Sequence, residues 1–273
     1  MTHTRTELAA LLAGHGLDPS RALGQNFVVD PNTVRRIARL AGVGPGDHVV
    51  EIGAGLGSLT LALAETGASV TAVEIDRHLR PILEGVVAGL DVRVVAGDAM
   101  ALDWNEVLAG AERWSLVANL PYNVATPLVL DLLREVPAIE RMLVMVQLEA
   151  GERLAAAPGT PAYGIPSVKV ALRATARIVG RVGPDVFLPR PRVDSALVEV
   201  VRRAEPAVEG DLAVVEELVA RAFNQRRKML RRSLAGVVDE ATFEAAGIDP
   251  TDRPERLVVE AWGRLAAAHI AAG

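Results

Sequence analysis

Short, nearly unbroken apolar runs recur along the chain as far as Val201, and they set the expected architecture. Seven of them read as strands: His48–Ile52, Ser69–Ile75, Val92–Ala96, Trp114–Leu120, Met142–Gln147, Ser167–Arg177 and Ser195–Val201. Most are apolar on both faces, the mark of strands covered from both sides. Helical patterns at Leu56–Glu65, His78–Val87, Trp104–Leu108 and Pro127–Glu135 separate the first five runs. Strands alternating with helices predict a parallel sheet flanked by helices. Only the loop around Gly180–Arg192 lies between the last two runs, which predicts an antiparallel, hairpin-like end. Beyond Arg203 the character changes: Ala204–Gly210 is linker-like, and from Asp211 onward the pattern is helical without a strand. The expected fold is α/β, a Rossmann-like seven-stranded sheet, mostly parallel with an antiparallel end. It occupies residues 1–204, including an N-terminal helical segment at 1–47, and is followed by a smaller all-helical domain at 205–273.

Composition narrows the chemistry. The 273 residues include no cysteine, which removes disulfides, thiolate metal sites and cysteine nucleophiles together. The five histidines are scattered without ligand spacing, so no metal site is expected. No apolar stretch has the roughly 18–20 residues that cross a bilayer, and no signal peptide is visible, so a soluble, cytoplasmic protein is expected. Net charge is −5, which as a whole-molecule figure argues against nucleic-acid binding. A local basic face nevertheless acts over about a Debye length. Nothing in the sequence demands more than a monomer.

The run ending in Val49-Val50-Glu51-Ile52 enters the turn Gly53-Ala54-Gly55-Leu56-Gly57 and then a helix. In a doubly wound sheet this first turn is where a nucleoside ligand lies. A dinucleotide fingerprint would place its third glycine at position 58, which is Ser58, so a pyrophosphate is not expected. Glu74, with Ile75 beside it, closes the second strand about 20 residues on, where a carboxylate accepts from ribose hydroxyls. Asp98, with Ala99, follows the third strand and can accept from an adenine amino group. One glycine turn (Gly53, Gly55, Gly57), Glu51 and these two carboxylates fit an adenosine without a pyrophosphate, namely S-adenosylmethionine. The bland alternatives are a solvated strand end for Glu74 and a turn residue for Asp98; Asp76 reads as a helix N-cap.

Asn119-Leu120-Pro121-Tyr122 ends the fourth run. The Asn119 amide oxygen and the Leu120 carbonyl can both accept from an exocyclic amine, and the Tyr122 ring offers a stacking surface. That kit suits a nucleobase taken out of its stack. An Asn-x-Pro-Tyr string can equally be an ordinary strand-to-loop turn.

Taken in order, Leu23-Gly24-Gln25-Asn26-Phe27, Val50–Gly57, Val73–Asp76, Gly97–Ala99, Asn119–Asn123, Phe187–Ser195 and Phe223–Lys228 resemble the ribosomal RNA adenine dimethyltransferases, most of all the small-subunit (16S) branch. The resemblance spans nearly the whole chain. It implies a methyltransferase sheet and transfer of two methyls to N6 of each of two adjacent adenines near the 3′ end of 16S rRNA, in the 30S subunit or its precursor. It also implies cofactor contacts at Gln25 and Asn26, with Phe27 adjoining, a target-adenine clamp at Asn119, Leu120, Pro121 and Tyr122, and a second aromatic, Phe187, on the opposite face of the base. Phe187 could instead be a core residue anchoring its loop. The departures, Val28 for Leu, Ala54 for Pro and Ala125 for Ser, are modest and lie beside the motifs.

Arg221, Arg226, Arg227, Lys228, Arg231 and Arg232 crowd one stretch of an acidic protein. At helical spacing Arg221, Lys228 and Arg232 would share one side. Such a concentration of like charge points to phosphate contact, against the plainer reading of a solvated face. A 23S rRNA or DNA adenine methyltransferase would share the clamp, and a non-catalytic RNA-binding module would share the fold.

Overall fold

The computed structural model describes residues 2–20 and 22–273. Nine strands are present among them: β1 Phe27–Val28, β2 His48–Ile52, β3 Ser69–Glu74, β4 Val92–Ala96, β5 Trp114–Asn119, β6 Ile139–Gln147, β7 Ala174–Val182, β8 Phe187–Leu188 and β9 Ser195–Arg202. Seven form one sheet in the order β4-β3-β2-β5-β6-β9-β7. β2, β3, β4, β5 and β6 are mutually parallel, and β9 runs antiparallel to β6.

The sheet's connectivity places a crevice before any side chain is considered. From β2 the chain steps outward through β3 to β4, then returns to β5 on the other side of β2. At such a reversal the loops leaving two neighbouring strands diverge, and a ligand crevice opens at their carboxyl ends. The glycine turn leaves β2 there, and the Asn119 loop leaves β5.

The chain divides into two compact units, Met1–Gly151 with Arg177–Val201, and Glu152–Ala176 with Arg202–Gly273. The helical unit therefore takes in residues 152–176, which the apolar pattern put in the sheet domain. Ser167–Arg177 is not one strand: Ile165–Arg173 is a helix and β7 begins at Ala174. Pro166 sits in its first turn, the Gly164 N–H donates to Ser167 Oγ at 3.0 Å, and that hydroxyl donates to the Arg153 carbonyl at 2.6 Å. The alternation Val168, Val170, Leu172 misleads because Val168 and Leu172, one helical turn apart, enter the helical unit's core around Trp262 and Phe243. Lys169 and Arg173, also a turn apart, pair with Glu216 at 2.9 and 2.6 Å.

The N-terminal segment supplies helices Arg5–Gly14, capped reciprocally by Thr4 and Glu7, and Pro31–Ala41, capped by Asp30. It also supplies β1, which pairs antiparallel with β8: Phe27 opposite Leu188 and Val28 opposite Phe187. The sequence pattern does not reveal this two-residue pairing. It buries the Phe187 ring completely, among Val28, Val34, Ile37, Met145 and Leu197.

Candidate functional site

Glu74 organises the turn that follows β2. The Gly55 N–H donates to its Oε2 at 2.6 Å and the Asp76 N–H to its Oε1 at 2.8 Å. The carboxyl is buried, and burial raises its pKa against the pull of those two N–H donors. Each oxygen retains a further lone pair for a ligand hydroxyl. Gly55 has a φ of +60°, and a Cβ there would lie 2.9 Å from the Phe27 ring, so only glycine lets β1 close over the turn. Beneath it Glu51 is 2 % exposed, its Oε2 without a hydrogen-bond partner. Burial pushes its pKa up to about 8; the neighbouring Thr60 hydroxyl opposes this and the charge of Glu74 adds to it.

The clamp is set by a bond across the crevice. Asn119 Nδ2 donates to the Asn26 carbonyl at 2.8 Å. A carbonyl only accepts, so the amide nitrogen must face it and Oδ1 is left as an acceptor. Next in the chain, Leu120 is buried, its N–H tied to the Met145 carbonyl at 3.1 Å, and Pro121 turns the backbone back to bond Val124 and Ala125. The Tyr122 hydroxyl is 2.7 Å from Ser195 Oγ at the start of β9. Burial raises the phenol's pKa, Ser195 partly opposing, so the ring is neutral and held from its far end. Gly24, at a φ of +64°, passes so close that a Cβ would meet Asn123 Oδ1 at 3.0 Å and the Pro121 Cβ at 3.3 Å.

Two adjoining recesses result, sharing Leu23, Gly53, Ile75 and Pro121. The tighter one, about 490 Å³, brings Gln25, Asn26, Phe27, Gly55 and Glu74 together with Asn119, Leu120 and Tyr122. The roomier one, about 760 Å³ with its open mouth, has Asp98 and Ala99 at its edge and Ile75, Met100, Val124 and Leu128 as walls. Ile75 and Met100 are 49 % and 44 % exposed, and apolar side chains left open in one recess suit a flat heterocycle. Asp98 Oδ1 already takes the Met100 N–H at 2.9 Å, which fixes its rotamer and leaves its other oxygen for a ligand. Gln25 is occupied too: its Oε1 accepts the Ser20 N–H at 2.7 Å and its Nε2 donates to Asp76 Oδ2 at 2.8 Å. Asp76 also accepts the His78 N–H at 2.9 Å, but the following helix begins only at Arg80.

Three predicted contacts are corrected. Phe187 is 0 % exposed and lines neither recess, so it has no face to offer a base; its β-pairing with Val28 turns the ring into the core. Glu51 and Gly57 also stand off the recess walls. Glu51 lies beneath the turn, and Gly57 starts the helix Ser58–Ala64, packed so closely that a Cβ would be 3.0 Å from Leu83. Conversely Ala22, Met100 and Val124 line the recesses without having been singled out, and Ser195 braces the clamp. Apolar residues outside a motif carry no local signal, although Ser195 does close the Phe187–Ser195 motif.

The basic stretch is not one helix face. Helix Leu212–Asn224 ends before Gln225, residues 225–229 form a loop, and a short helix follows at Leu230–Ser233. Arg226 is tied down, its Nε to Glu255 at 2.8 Å and its Nη2 to the Pro161 carbonyl at 2.9 Å. Arg221, Arg227, Lys228, Arg231 and Arg232 are exposed.

A family profile described as ribosomal RNA adenine dimethylase matches residues 18–269, from just before the Leu23 motif to the last helix. The chain belongs to that family. Within the dimethylase family it is 49 % identical, over 95 % of this chain and 93 % of the relative, to a Streptomyces coelicolor protein named ribosomal RNA small subunit methyltransferase A. A Bifidobacterium longum subsp. infantis protein of the same name is 47 % identical over 96 % of this chain and 92 % of its own. Among solved structures, the 23S rRNA methyltransferase ErmE superposes with a TM-score of 0.69 at 29 % identity, covering 89 % of this chain and 98 % of that one. A Plasmodium falciparum dimethyladenosine transferase gives 0.74 at 22 % identity over 86 % and 94 %, a likeness of fold. Membership fits the donor set, in which Asn119 and Tyr122 share the tighter recess with Gly55 and Glu74.

Proposed function

We propose that this chain transfers methyl groups from S-adenosylmethionine to N6 of two adjacent adenines near the 3′ end of 16S rRNA, in the 30S subunit or its precursor, as a cytoplasmic monomer. The observation that carries the reading is the pinned Asn119 amide, whose free oxygen borders the recess that also holds Glu74 and Gly55. An acceptor fixed at that point, beside a phenol ring braced by Ser195, selects an exocyclic amine on a planar base.

The cofactor's sulfonium methyl supplies the electrophile when bound. Glu74 would take the ribose hydroxyls with its remaining lone pairs, and Asp98 the adenine amino group. Asn119 Oδ1 and the Leu120 carbonyl would accept from N6 of the target, drawing its lone pair out of conjugation and bearing part of the charge that develops. Tyr122 would stack on one face of the base, worth about 1–3 kcal/mol. Positioning can contribute about 7–11 kcal/mol, so direct in-line transfer needs no covalent carrier on the protein.

The test is transfer from labelled S-adenosylmethionine to 30S subunits lacking the modification, followed by digestion to nucleosides. Labelled N6,N6-dimethyladenosine from 16S rRNA is expected, and Asn119→Ala should cut the rate about 10²–10³-fold. Label in naked 23S rRNA or DNA but not in 30S would replace the substrate. An unimpaired Asn119→Ala would remove the catalytic assignment.

A further inference from the structure

The loop between helices Leu212–Asn224 and Leu230–Ser233 displays one large apolar side chain among its cations. Met229 is 41 % exposed on an extended backbone, φ −63° and ψ 152°. Arg227, Lys228, Arg231 and Arg232 around it are all exposed. The loop is fixed from both sides. Arg226 is bonded to Glu255 and Pro161; Lys228 N–H donates to the Gln225 carbonyl at 2.8 Å; Leu230 N–H donates to the Asp252 carbonyl at 2.7 Å; Arg231 N–H donates to the Pro250 carbonyl at 3.0 Å. Leu230 next to it is fully buried. Met229 is thus held out by the same anchors that hold its neighbour in, and the Arg231 guanidinium lies 3.9 Å from its sulfur.

A loop that bound phosphate by charge alone would have no use for an exposed thioether beside its cations. The methionine side chain is unbranched and polarisable, and it packs well on aromatic faces. Apolar side chains flanked by arginine and lysine are what nucleic-acid-binding proteins insert between bases, the cations gripping the backbone on either side. We propose that Met229 packs on an unstacked nucleobase of the ribosomal RNA, while Arg227, Lys228 and Arg232 hold the adjoining phosphates. This rests on the rRNA reading above.

The two kinds of contact separate in salt. Each phosphate contact lowers the slope of log K against log salt, whereas an apolar contact shifts the line without tilting it. The experiment compares binding of the full chain, Met229→Gln, Met229→Leu and Arg227→Gln to undermethylated 30S subunits between about 50 and 200 mM salt. Met229→Gln is expected to bind about three- to tenfold more weakly at every salt concentration with an unchanged slope, and Met229→Leu to bind within about twofold of the parent. Arg227→Gln should flatten the slope. Unchanged affinity of Met229→Gln, or an equal loss in Met229→Leu, overturns the base contact while leaving the rRNA reading intact. A parent chain that fails to bind 30S subunits overturns both.

Discussion

Glu51→Gln tests whether the buried carboxyl beneath the glycine turn is a stability cost tied to ionisation. In the folded chain this carboxyl is held up to about 8 from an ordinary 4.5, chiefly by burial. Between those values the native state keeps a proton that the unfolded chain has released. Stability therefore falls as pH rises, by about 1.4 kcal/mol per pH unit for a complete difference of one proton. The contribution is fully present below the unfolded value and lost once pH passes the folded one. By neutral pH the loss approaches about 3 kcal/mol, a large part of a typical folding free energy. Glutamine has the same shape and cannot ionise. Urea denaturation of both proteins at about pH 5, 7 and 8.5 should give nearly equal stabilities at the acid end and a growing advantage for the variant above it. Glu74 also has a raised pKa and contributes a slope of the same sign to both proteins, so the difference between them reports Glu51 together with its coupling to Glu74. Parallel curves across the range would refute the argument. Glu51 would then be ionised like an ordinary carboxylate, and its orphaned oxygen would require a partner.

Other outcomes follow from the same geometry. Tyr122→Phe keeps the stacking surface but loses the 2.7 Å bond to Ser195, and should cost about 1 kcal/mol in stability with a modest effect on transfer. Tyr122→Ala should raise KM for the RNA by about 5- to 150-fold, read from initial rates. Phe187→Ala opens a cavity in the core around Leu197 and Val34 and should cost about 3–5 kcal/mol in denaturant titration. Neutralising Arg227 and Arg231 together should make the salt dependence of 30S binding shallower, by about one to two in slope. Arg226→Ala should instead lower the melting temperature, because that side chain is bonded to Glu255 and Pro161.

The features legible in the sequence are those whose causes are local. The runs that became β2 to β6 are apolar on their own account, and a glycine turn between strand and helix needs no distant partner to be recognised. Asn119-Leu120-Pro121-Tyr122 was visible because its chemistry is unusual within four residues. The errors come from distant partners. Val168, Val170 and Leu172 alternate as in a strand, and what decides for a helix is Glu216 and the core around Trp262. Phe187 sits in a motif whose company suggests a site, yet its burial is decided by Phe27-Val28, far away in the chain. The basic stretch has helical spacing, but Asp252 and Pro250 take the N–H groups of Leu230 and Arg231, bonds that stand in place of a continuous helix.

These distant partners also explain how the site can be in place before a ligand arrives. Glu74 holds the Gly55 N–H, Asn26 holds the Asn119 amide, and Ser195 holds the Tyr122 hydroxyl. Each functional group is thus restrained by a residue outside its own motif. Ordering a side chain that is already ordered costs little, so binding free energy can go to orienting the reacting atoms. The same wiring makes the segment Leu23–Phe27 a shared wall: Asn26 fixes the clamp while Phe27 closes on Gly55. A change there should therefore disturb cofactor and base recognition together, whereas loss of Tyr122 should disturb the base alone.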